Sequence, residues 1–191
     1  MNKKKITAAL LAAVIACPLL VSCSDSSSAS EETSLSSAAS SSKAEQQEPT
    51  GYDTTVFTVS VPDGWSAAAV SDTLKKYDGK TNPEQLYIIK GGKNADDIMK
   101  YPYIWVNYYK DASRYASAKS MYENTEDVNI ETGGKKWEGY TYTSSGYPGC
   151  CLTCKEGDSL WVCLFVLKNG DNSISINDED VETILSSLKA K

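Results

Sequence analysis

Hydrophobic residues beyond position 50 occur in short runs, and the period of these runs predicts a β-sheet. In the run from Val56 to Val61, the side chains of Phe57, Val59 and Val61 alternate with polar ones, which places them on one face of a strand. Further runs with the composition of strands lie at 86–89, 103–109, 128–130, 136–143, 150–155 and 160–168. Most of the chain after residue 50 is therefore predicted to be strand.

Two connections between these runs predict β-hairpins. Gly133-Gly134 separates the runs at 128–130 and 136–143, and paired glycines are typical of a tight hairpin turn. Glu156-Gly157-Asp158 separates the last two runs. The run from Leu160 to Leu167 is continuously apolar, so both of its faces need cover, and we expect it in the middle of the sheet.

Three segments have the pattern of a helix. Asn94 predicts the start of a short helix that ends near Met99, and Asp111 predicts the start of a helix that runs to about Glu123. The last helix is the clearest, because acidic residues follow the capping residue Asn177 and one apolar stripe has helical spacing. That stripe consists of Val181, Ile184, Leu185 and Leu188. Hairpins and helices together predict an α+β fold, an antiparallel β-sheet flanked by helices.

The first 22 residues predict a secretory signal peptide. Three lysines, Lys3 to Lys5, precede an apolar run from Ile6 to Leu20, and small residues follow. The run is shorter than the roughly 20 residues that a helix needs to cross a bilayer, which argues against a transmembrane anchor. We therefore expect an exported protein.

Leu20-Val21-Ser22-Cys23, which follows this run, resembles the bacterial lipobox. The resemblance implies that Cys23 receives a diacylglyceryl group and becomes the mature N-terminus, so the protein would be extracytoplasmic and lipid-anchored to the bacterial cell membrane. Two acyl chains give stable attachment where one chain is marginal. A second match that ends at Cys17 truncates the apolar run and leaves Pro18 after the cut, so Cys23 is preferred. The alternative is an ordinary secretory signal with an incidental cysteine.

Residues 23–50 predict a lipidated cysteine followed by a disordered linker. Serine, alanine, glutamate and glutamine dominate this stretch, and Leu35 is its only large apolar residue. Such a composition cannot bury enough surface to offset the entropy of ordering. Residues 51–191 suit one α+β domain by their length.

Charge and composition exclude several classes of function. The net charge is −6 and the chain has one arginine, Arg114, so we expect no nucleic acid partner. The chain has no histidine, which removes the commonest general base, the commonest metal ligand and every Ser-His or Cys-His pair. We identify no catalytic residues and expect no cofactor.

Three stretches resemble PsbP-like domains, which are α/β/α sandwiches named for an extrinsic photosystem II protein. The stretch 57–65 is similar to their opening strand and turn, 134–140 to their central hairpin, and 184–189 to their closing helix. The resemblance implies a helix-flanked sheet and an accessory or binding role. No functional residue of that family can be placed on this chain.

Besides the lipidated Cys23, four cysteines remain after the predicted cleavage: Cys150, Cys151, Cys154 and Cys163. A three-residue turn at 156–158 would place Cys151 opposite Cys163 and favours a disulfide between them, whereas a two-residue turn at 157–158 would place Cys163 opposite Leu152. Free buried thiols are the other interpretation. The C-x-x-C spacing of Cys151 and Cys154 does not predict a metal site, because alternation along a strand sends neighbouring side chains to opposite faces.

The chain has 12 tyrosines and four tryptophans. Core packing is the expected role of most of them, and Tyr147, in the loop 147–149, is the best candidate for an exposed aromatic that binds a partner. The sequence therefore predicts a surface lipoprotein that acts as a non-enzymatic binding or accessory module for a protein or glycan. The alternatives are an envelope enzyme, either a carboxylate hydrolase or a thiol redox protein, and a structural envelope protein.

Overall fold

The structure, a computed structural model, describes residues 49–191. The predicted signal peptide, the predicted lipid site at Cys23 and most of the predicted linker lie outside the described residues. Within residues 49–191, no helix has both the length and the apolar character needed to cross a membrane.

The main element of the fold is a seven-stranded antiparallel sheet. Its strands are β3 (Trp65–Ser71), β4 (Thr81–Lys90), β5 (Tyr103–Tyr109), β6 (Glu126–Thr132), β7 (Lys135–Ser144), β8 (Tyr147–Glu156) and β9 (Ser159–Val166). Across the sheet they lie in the order β3-β4-β5-β9-β8-β7-β6. The continuously apolar strand β9 is therefore the middle strand, as its sequence predicts.

A smaller layer covers one face of this sheet. It contains a three-stranded antiparallel sheet and one α-helix. Its elements are β1 (Thr50–Asp53), β2 (Phe57–Val61), α1 (Glu179–Ser187) and β12 (Lys189–Ala190), with the sheet order β1-β2-β12. A two-stranded hairpin, β10 (Lys168–Asn169) and β11 (Asn172–Ser173), connects β9 to this layer.

The core lies between the two layers, on what we call the inner face of the large sheet. Phe57 of β2 meets Trp161 of β9 edge-to-face, with ring centroids 5.3 Å apart. The predicted apolar stripe of α1 is buried against the same core. Each large side chain buried in this way stabilises the fold by about 1.5–3 kcal/mol. Two polar contacts also fix α1, because Trp65 Nε1 donates to Asp180 at 2.9 Å and the Ser60 amide donates to Ser187 Oγ at 2.9 Å.

The predicted fold class is wrong. The α+β prediction placed helices along the sheet, as in the α/β/α sandwich of PsbP-like domains, but the described residues contain a single α-helix, and it lies on one face. The other helical segments are 3-10 turns of three to five residues, namely Ala95–Met99, Ala112–Arg114 and Lys119–Met121. The fold is an antiparallel β structure, and a smaller β-sheet takes the place of one helical layer.

The segment from Asp111 to Glu123 shows why the helix prediction failed. The predicted N-cap is present, because the Asp111 side chain accepts a hydrogen bond from the Ser113 amide at 3.0 Å. No helix extends from it, however, and the Ser117 hydroxyl accepts from the Lys119 amide at 3.3 Å. Serine side chains that bond to nearby backbone in this way compete with helical hydrogen bonds.

The other two predicted helices do have N-caps at or next to the predicted residues. Asn94 and Asp97 form the capping box of Ala95–Met99. The last helix begins one residue later than its sequence suggested, with Asp178 rather than Asn177 at its N-cap.

The β8–β9 hairpin has the two-residue turn, so the predicted Cys151–Cys163 disulfide is wrong. Glu156 pairs with Ser159 around Gly157-Asp158, and Cys163 lies opposite Leu152. Gly157 has a φ of +62°, which suits the first position of such a turn. Cys151 consequently points to the opposite face from Cys163, and the four cysteines of the sheet are free and buried.

The same sheet contains one very close backbone approach. A Cβ on Gly139 of β7 would lie 1.8 Å from the carbonyl oxygen of Cys151 on β8. Only glycine permits this distance, so residue 139 fixes how closely β7 and β8 approach each other.

We expect the four sheet cysteines to be thiols in the purified, unreduced protein. Cys163 lies opposite Leu152, so Cys150 and Cys154, which share its face, occupy diagonal positions that are too far from it for a disulfide. Denaturation in iodoacetamide followed by trypsin digestion should give peptides 137–155 and 156–168 as separate, fully alkylated species in mass spectrometry. A reduced sample is the control. A disulfide to Cys163 would join the two peptides and would contradict the register.

Candidate functional site

The outer face of the large sheet, opposite the core, carries a row of aromatic side chains. Alternation along β5 sends Ile104 and Val106 inward and sends Tyr103, Trp105 and Tyr109 outward. Tyr87 on β4 and Tyr140 and Tyr142 on β7 join them on this face. Trp137 of β7, in contrast, points inward and is fully buried.

These rings contact one another across the strands. The Tyr87 ring centroid lies 5.7 Å from those of Tyr103 and Trp105. Tyr142 stacks on Tyr122, which lies in the connection between β5 and β6, at 4.2 Å and an interplanar angle of 21°. Aromatic pairs at such distances add about 0.5–1.5 kcal/mol beyond their buried area. The outer face therefore carries two separate clusters of contacting rings, one on β4 and β5 and one that joins β7 to Tyr122.

The connection between β5 and β6, here called the 110–125 segment, covers part of this face. Tyr115 packs against Tyr109 at 5.7 Å, and its hydroxyl lies 3.4 Å from Cys151 Sγ. Beneath the segment lies a small second core that contains Tyr140, Cys151, Leu160 and Val162. Aromatic residues away from the segment stay partly exposed, and this contrasts with the predicted burial under helices.

A cavity of about 430 Å³ opens beside the 110–125 segment, and we call it the tyrosine cavity. Tyrosine rings form much of its wall, and none of the described residues that line it is charged. Its lining includes Ile98, Met99, Tyr103, Tyr122, Tyr142, Tyr147, Ser144, Ser145 and Asn169. This volume is typical of ligand sites, and the lining mixes apolar surface with tyrosine and serine hydroxyls and the Asn169 amide.

A second cavity of about 460 Å³, the tryptophan cavity, lies over β3, β4 and β5. Tyr87 and Trp105 line it, and Ile98 lines both cavities. The indole Nε1 of Trp105 is buried and has no hydrogen-bond partner among the described residues. A buried donor without an acceptor costs about 1–3 kcal/mol, so the Trp105 indole N–H lowers the stability of the fold.

The wall of the tryptophan cavity is fixed by Asp72, which sequence reasoning missed. Its buried carboxylate accepts from the backbone amides of Lys76, Tyr77 and Gly79 at 2.7 to 3.1 Å. Burial alone would raise the pKa of Asp72, but these three donors together hold the pKa below its ordinary value of 3.8. The loop after β3 is thus ordered around one carboxylate, a role that its sequence signals only by an Asp followed by polar residues and glycine.

A third cavity, of about 470 Å³, lies on the other side of the 110–125 segment and is polar. It contains two carboxylates, Asp127 and Glu138, and Lys119 forms an ion pair with Asp127. In residues 49–191, no group of three or more acidic or cysteine side chains is arranged to hold a metal ion.

Exposed hydrophobic side chains border the outer face. Leu74 is 89% exposed and lines the tryptophan cavity, while Met99 and Tyr147 are 78% and 54% exposed and line the tyrosine cavity. Met121 is exposed beside Tyr122 in the 110–125 segment. We call these four residues the apolar rim. Side chains of this kind gathered around one face indicate an interaction site.

Tyr147 is exposed as predicted, and the structure shows what holds it there. It is the first residue of β8, and the turn before it, Ser145-Gly146, has φ values of +51° and +83°. Two positive φ values define a type I′ hairpin turn, which is a rigid connection. Two residues later, Gly149 leaves room for the Tyr142 ring, because a Cβ at Gly149 would lie 2.6 Å from that ring.

Burial changes the acidity of the tyrosines on this face. Desolvation, helped by the nearby Cys151, raises the pKa of Tyr140 to about 12. Desolvation also raises the pKa of Tyr115 and of Tyr142 well above the ordinary value of 10.0. The tyrosines of the outer face are therefore neutral hydroxyls at physiological pH, able both to donate and to accept hydrogen bonds.

Comparison with known proteins gives no family for this chain. No family model matches, and no curated protein matches. The chain is similar to a crystal structure at 1.50 Å resolution from Bacteroides thetaiotaomicron VPI-5482, with 13% identity and a TM-score of 0.43. That match covers 71% of this chain and 45% of the other, so the chain spans less than half of the other protein's length.

We expect the protein to lose stability between about pH 10 and pH 12. A pKa raised on folding means that the unfolded state loses its proton first, so the stability contributed by Tyr140 is complete below pH 10 and is lost as the pH rises through about 12. Urea unfolding by circular dichroism, with tyrosinate absorbance recorded in parallel, measures this. Tyr140→Phe should show a shallower fall. Complete tyrosine ionisation near pH 10 in protein that is still folded would contradict the prediction.

Proposed function

We propose that this protein is an exported, lipid-anchored binding or accessory module, and that the outer face of its large sheet binds a protein or glycan partner. One observation carries the proposal: the aromatic outer face remains open beside the 110–125 segment and is bordered by exposed hydrophobic side chains. Exposed tyrosine, tryptophan and methionine are the residues enriched at recognition surfaces.

The membrane attachment rests on the sequence. The short apolar run and Cys23 resemble a lipoprotein signal, and the serine-rich stretch that follows suits a tether between membrane and domain. In this arrangement the module works at the cell envelope. Its net charge of −6 keeps it away from anionic headgroups, so attachment depends on the lipid.

Chemical features of the described residues favour binding over catalysis. Burial raises the pKa of Cys150 to about 12 and raises the pKa of Cys151 on the outer face, which disfavours the thiolate that redox chemistry needs. Asp127 of the polar cavity is occupied by its ion pair with Lys119, and this weakens the case for a carboxylate hydrolase. The tyrosine cavity offers rings and hydroxyls, which are groups that recognise rather than react.

We expect Cys23→Ser to release the protein from the membrane. Without the thiol no diacylglyceryl group can be added, so the chain should move from the detergent-extracted fraction of expressing cells to the soluble envelope or medium. Immunoblotting of the fractions and mass spectrometry of the N-terminus measure this, and Cys17→Ser is the matched control. An unlipidated N-terminus in the wild-type protein would rule out the anchor.

We expect Tyr147→Ala combined with Met99→Ala to lower partner capture about tenfold, because each truncation removes an exposed contact of the kind that dominates binding energy. The measurement is capture of envelope components of the source bacterium by the immobilised full-length protein, quantified for protein and for carbohydrate. Tyr77→Ala is the control, since Tyr77 is exposed but lines neither cavity. Equal capture by all variants would place the binding surface elsewhere.

A further inference from the structure

We infer that the partner is a glycan and that the tyrosine cavity binds a short, uncharged stretch of it. This inference rests on the proposed function and names the class of ligand. It follows from three properties of the cavity lining: accessible hydroxyl groups, the lack of charged side chains among the described residues, and flat aromatic rings.

Hydroxyl groups supply most of the polar side-chain atoms that line the tyrosine cavity. They belong to Tyr103, Tyr122, Tyr142, Tyr147, Ser144 and Ser145. None of these hydroxyls has a hydrogen-bond partner within residues 49–191, and none of the residues that carry them is buried. A hydroxyl both donates and accepts hydrogen bonds, and the hydroxyls of a sugar have the same double capacity. A saccharide can therefore pair with this wall, whereas a purely apolar ligand would leave the hydroxyls without water or partners.

The lining of the cavity favours an uncharged ligand. None of the described residues that line it is charged, and desolvation raises the pKa of Tyr103 and Tyr142, so both hydroxyls stay neutral at physiological pH. The Asn169 amide nitrogen donates to the carbonyls of Ile98 and Tyr101, which leaves the amide oxygen to accept a hydrogen bond from a ligand. An ion that entered the cavity would lose water and would find no opposite charge, so acidic sugars are disfavoured.

Aromatic rings provide the apolar contacts that a saccharide also needs. Tyr122 and Tyr142 stack on each other with ring centroids 4.2 Å apart, and Tyr147, which also lines the cavity, is 54% exposed. A pyranose ring has apolar C–H faces, which pack against aromatic rings, and a rim of hydroxyls. The rings and hydroxyls of the same tyrosines can therefore contact both parts of a sugar. The cavity volume of about 430 Å³ lies in the lower part of the range of ligand sites, roughly 300–1,000 Å³, which suits a short stretch of glycan.

The position of the cavity in the sheet argues against an extended peptide. The seven-stranded sheet has its edges at β3 and β6, and no residue of either strand lines the cavity. A peptide that binds by strand addition needs the free backbone groups of such an edge. β8 pairs with β7 on one side and with β9 on the other, so side chains supply the polar groups that a ligand meets here. A second copy of the chain would bring the same net charge of −6, which opposes self-association on this face.

Titration calorimetry tests this inference on the full-length protein, in a detergent that has no sugar headgroup. The probes are uncharged hexasaccharides that differ in sugar or linkage, namely cellohexaose, maltohexaose, mannohexaose and xylohexaose. We expect at least one of them to give a saturable isotherm. Hexagalacturonate, which has a carboxylate on every ring, should bind about tenfold or more weakly than the best uncharged probe, because the cavity offers its charge no partner.

Phenylalanine variants test the hydroxyls separately from the rings. Tyr103→Phe and Tyr142→Phe each remove one hydroxyl and keep the ring, so each should weaken binding of the best probe about two- to tenfold. Tyr77→Phe is the matched control and should leave binding unchanged, because Tyr77 lies outside the tyrosine cavity. Tyr147→Ala removes an exposed ring and should weaken binding about tenfold. Thermal unfolding checks that each variant is folded.

The outcomes separate this inference from the proposed function. Failure of every uncharged probe, while capture from envelope extracts still depends on Tyr147, would overturn the glycan assignment and keep the binding module. Tighter binding of hexagalacturonate, or binding that the phenylalanine variants leave unchanged, would also overturn it, because neither fits an uncharged ligand held by hydroxyls. Concentration-dependent self-association in ultracentrifugation that is lost in Tyr147→Ala would assign the face to a second copy. Absence of both capture and probe binding in the wild type would overturn both proposals.

Discussion

A sheet has two faces, and residues 49–191 supply one short α-helix and a three-stranded sheet with which to cover them. Both lie on the inner face, where Phe57, Trp161 and Ile184 are fully removed from water. The nine residues of α1 span only about 14 Å, so the helix cannot extend around the edge of a seven-stranded sheet. The outer face is left to loops, and its side chains must tolerate partial contact with water.

The outer face is rich in tyrosine, an amino acid that tolerates partial contact with water. Tyrosine buries a large ring while its hydroxyl stays near solvent, whereas leucine or phenylalanine in the same half-exposed position would leave only apolar surface to water. Tyr122 and Tyr142 are an example, because their rings bury each other by stacking while both residues still line the tyrosine cavity. The aromatic outer face therefore originates in the same shortage of cover that defines the fold.

The features that sequence reasoning predicted correctly are local. The pattern of apolar side chains located β2, β5 and β9, and the positions of glycines located the hairpin turns. Both features are determined by residues that are neighbours in the sequence. Features that depend on distant parts of the chain were missed. Whether 111–123 forms a helix or lies across the sheet depends on tyrosine contacts with other strands. The pairing of Cys163 was missed for a local reason, because it depends on a one-residue difference in the β8–β9 turn. Tyr147 was found because the exposure of a residue directly beside a turn is itself local.

The two faces of the sheet divide stability from recognition. Side chains on the inner face are buried by contacts between β2, α1 and the large sheet, so a change there disturbs the whole fold. Leu74 and Met99 are more than three-quarters exposed, so their removal costs little folding energy. Under the proposed binding role, the apolar rim can consequently change while the core stays the same. A β-sheet with only one covered face thus combines a fixed fold with a surface that can vary.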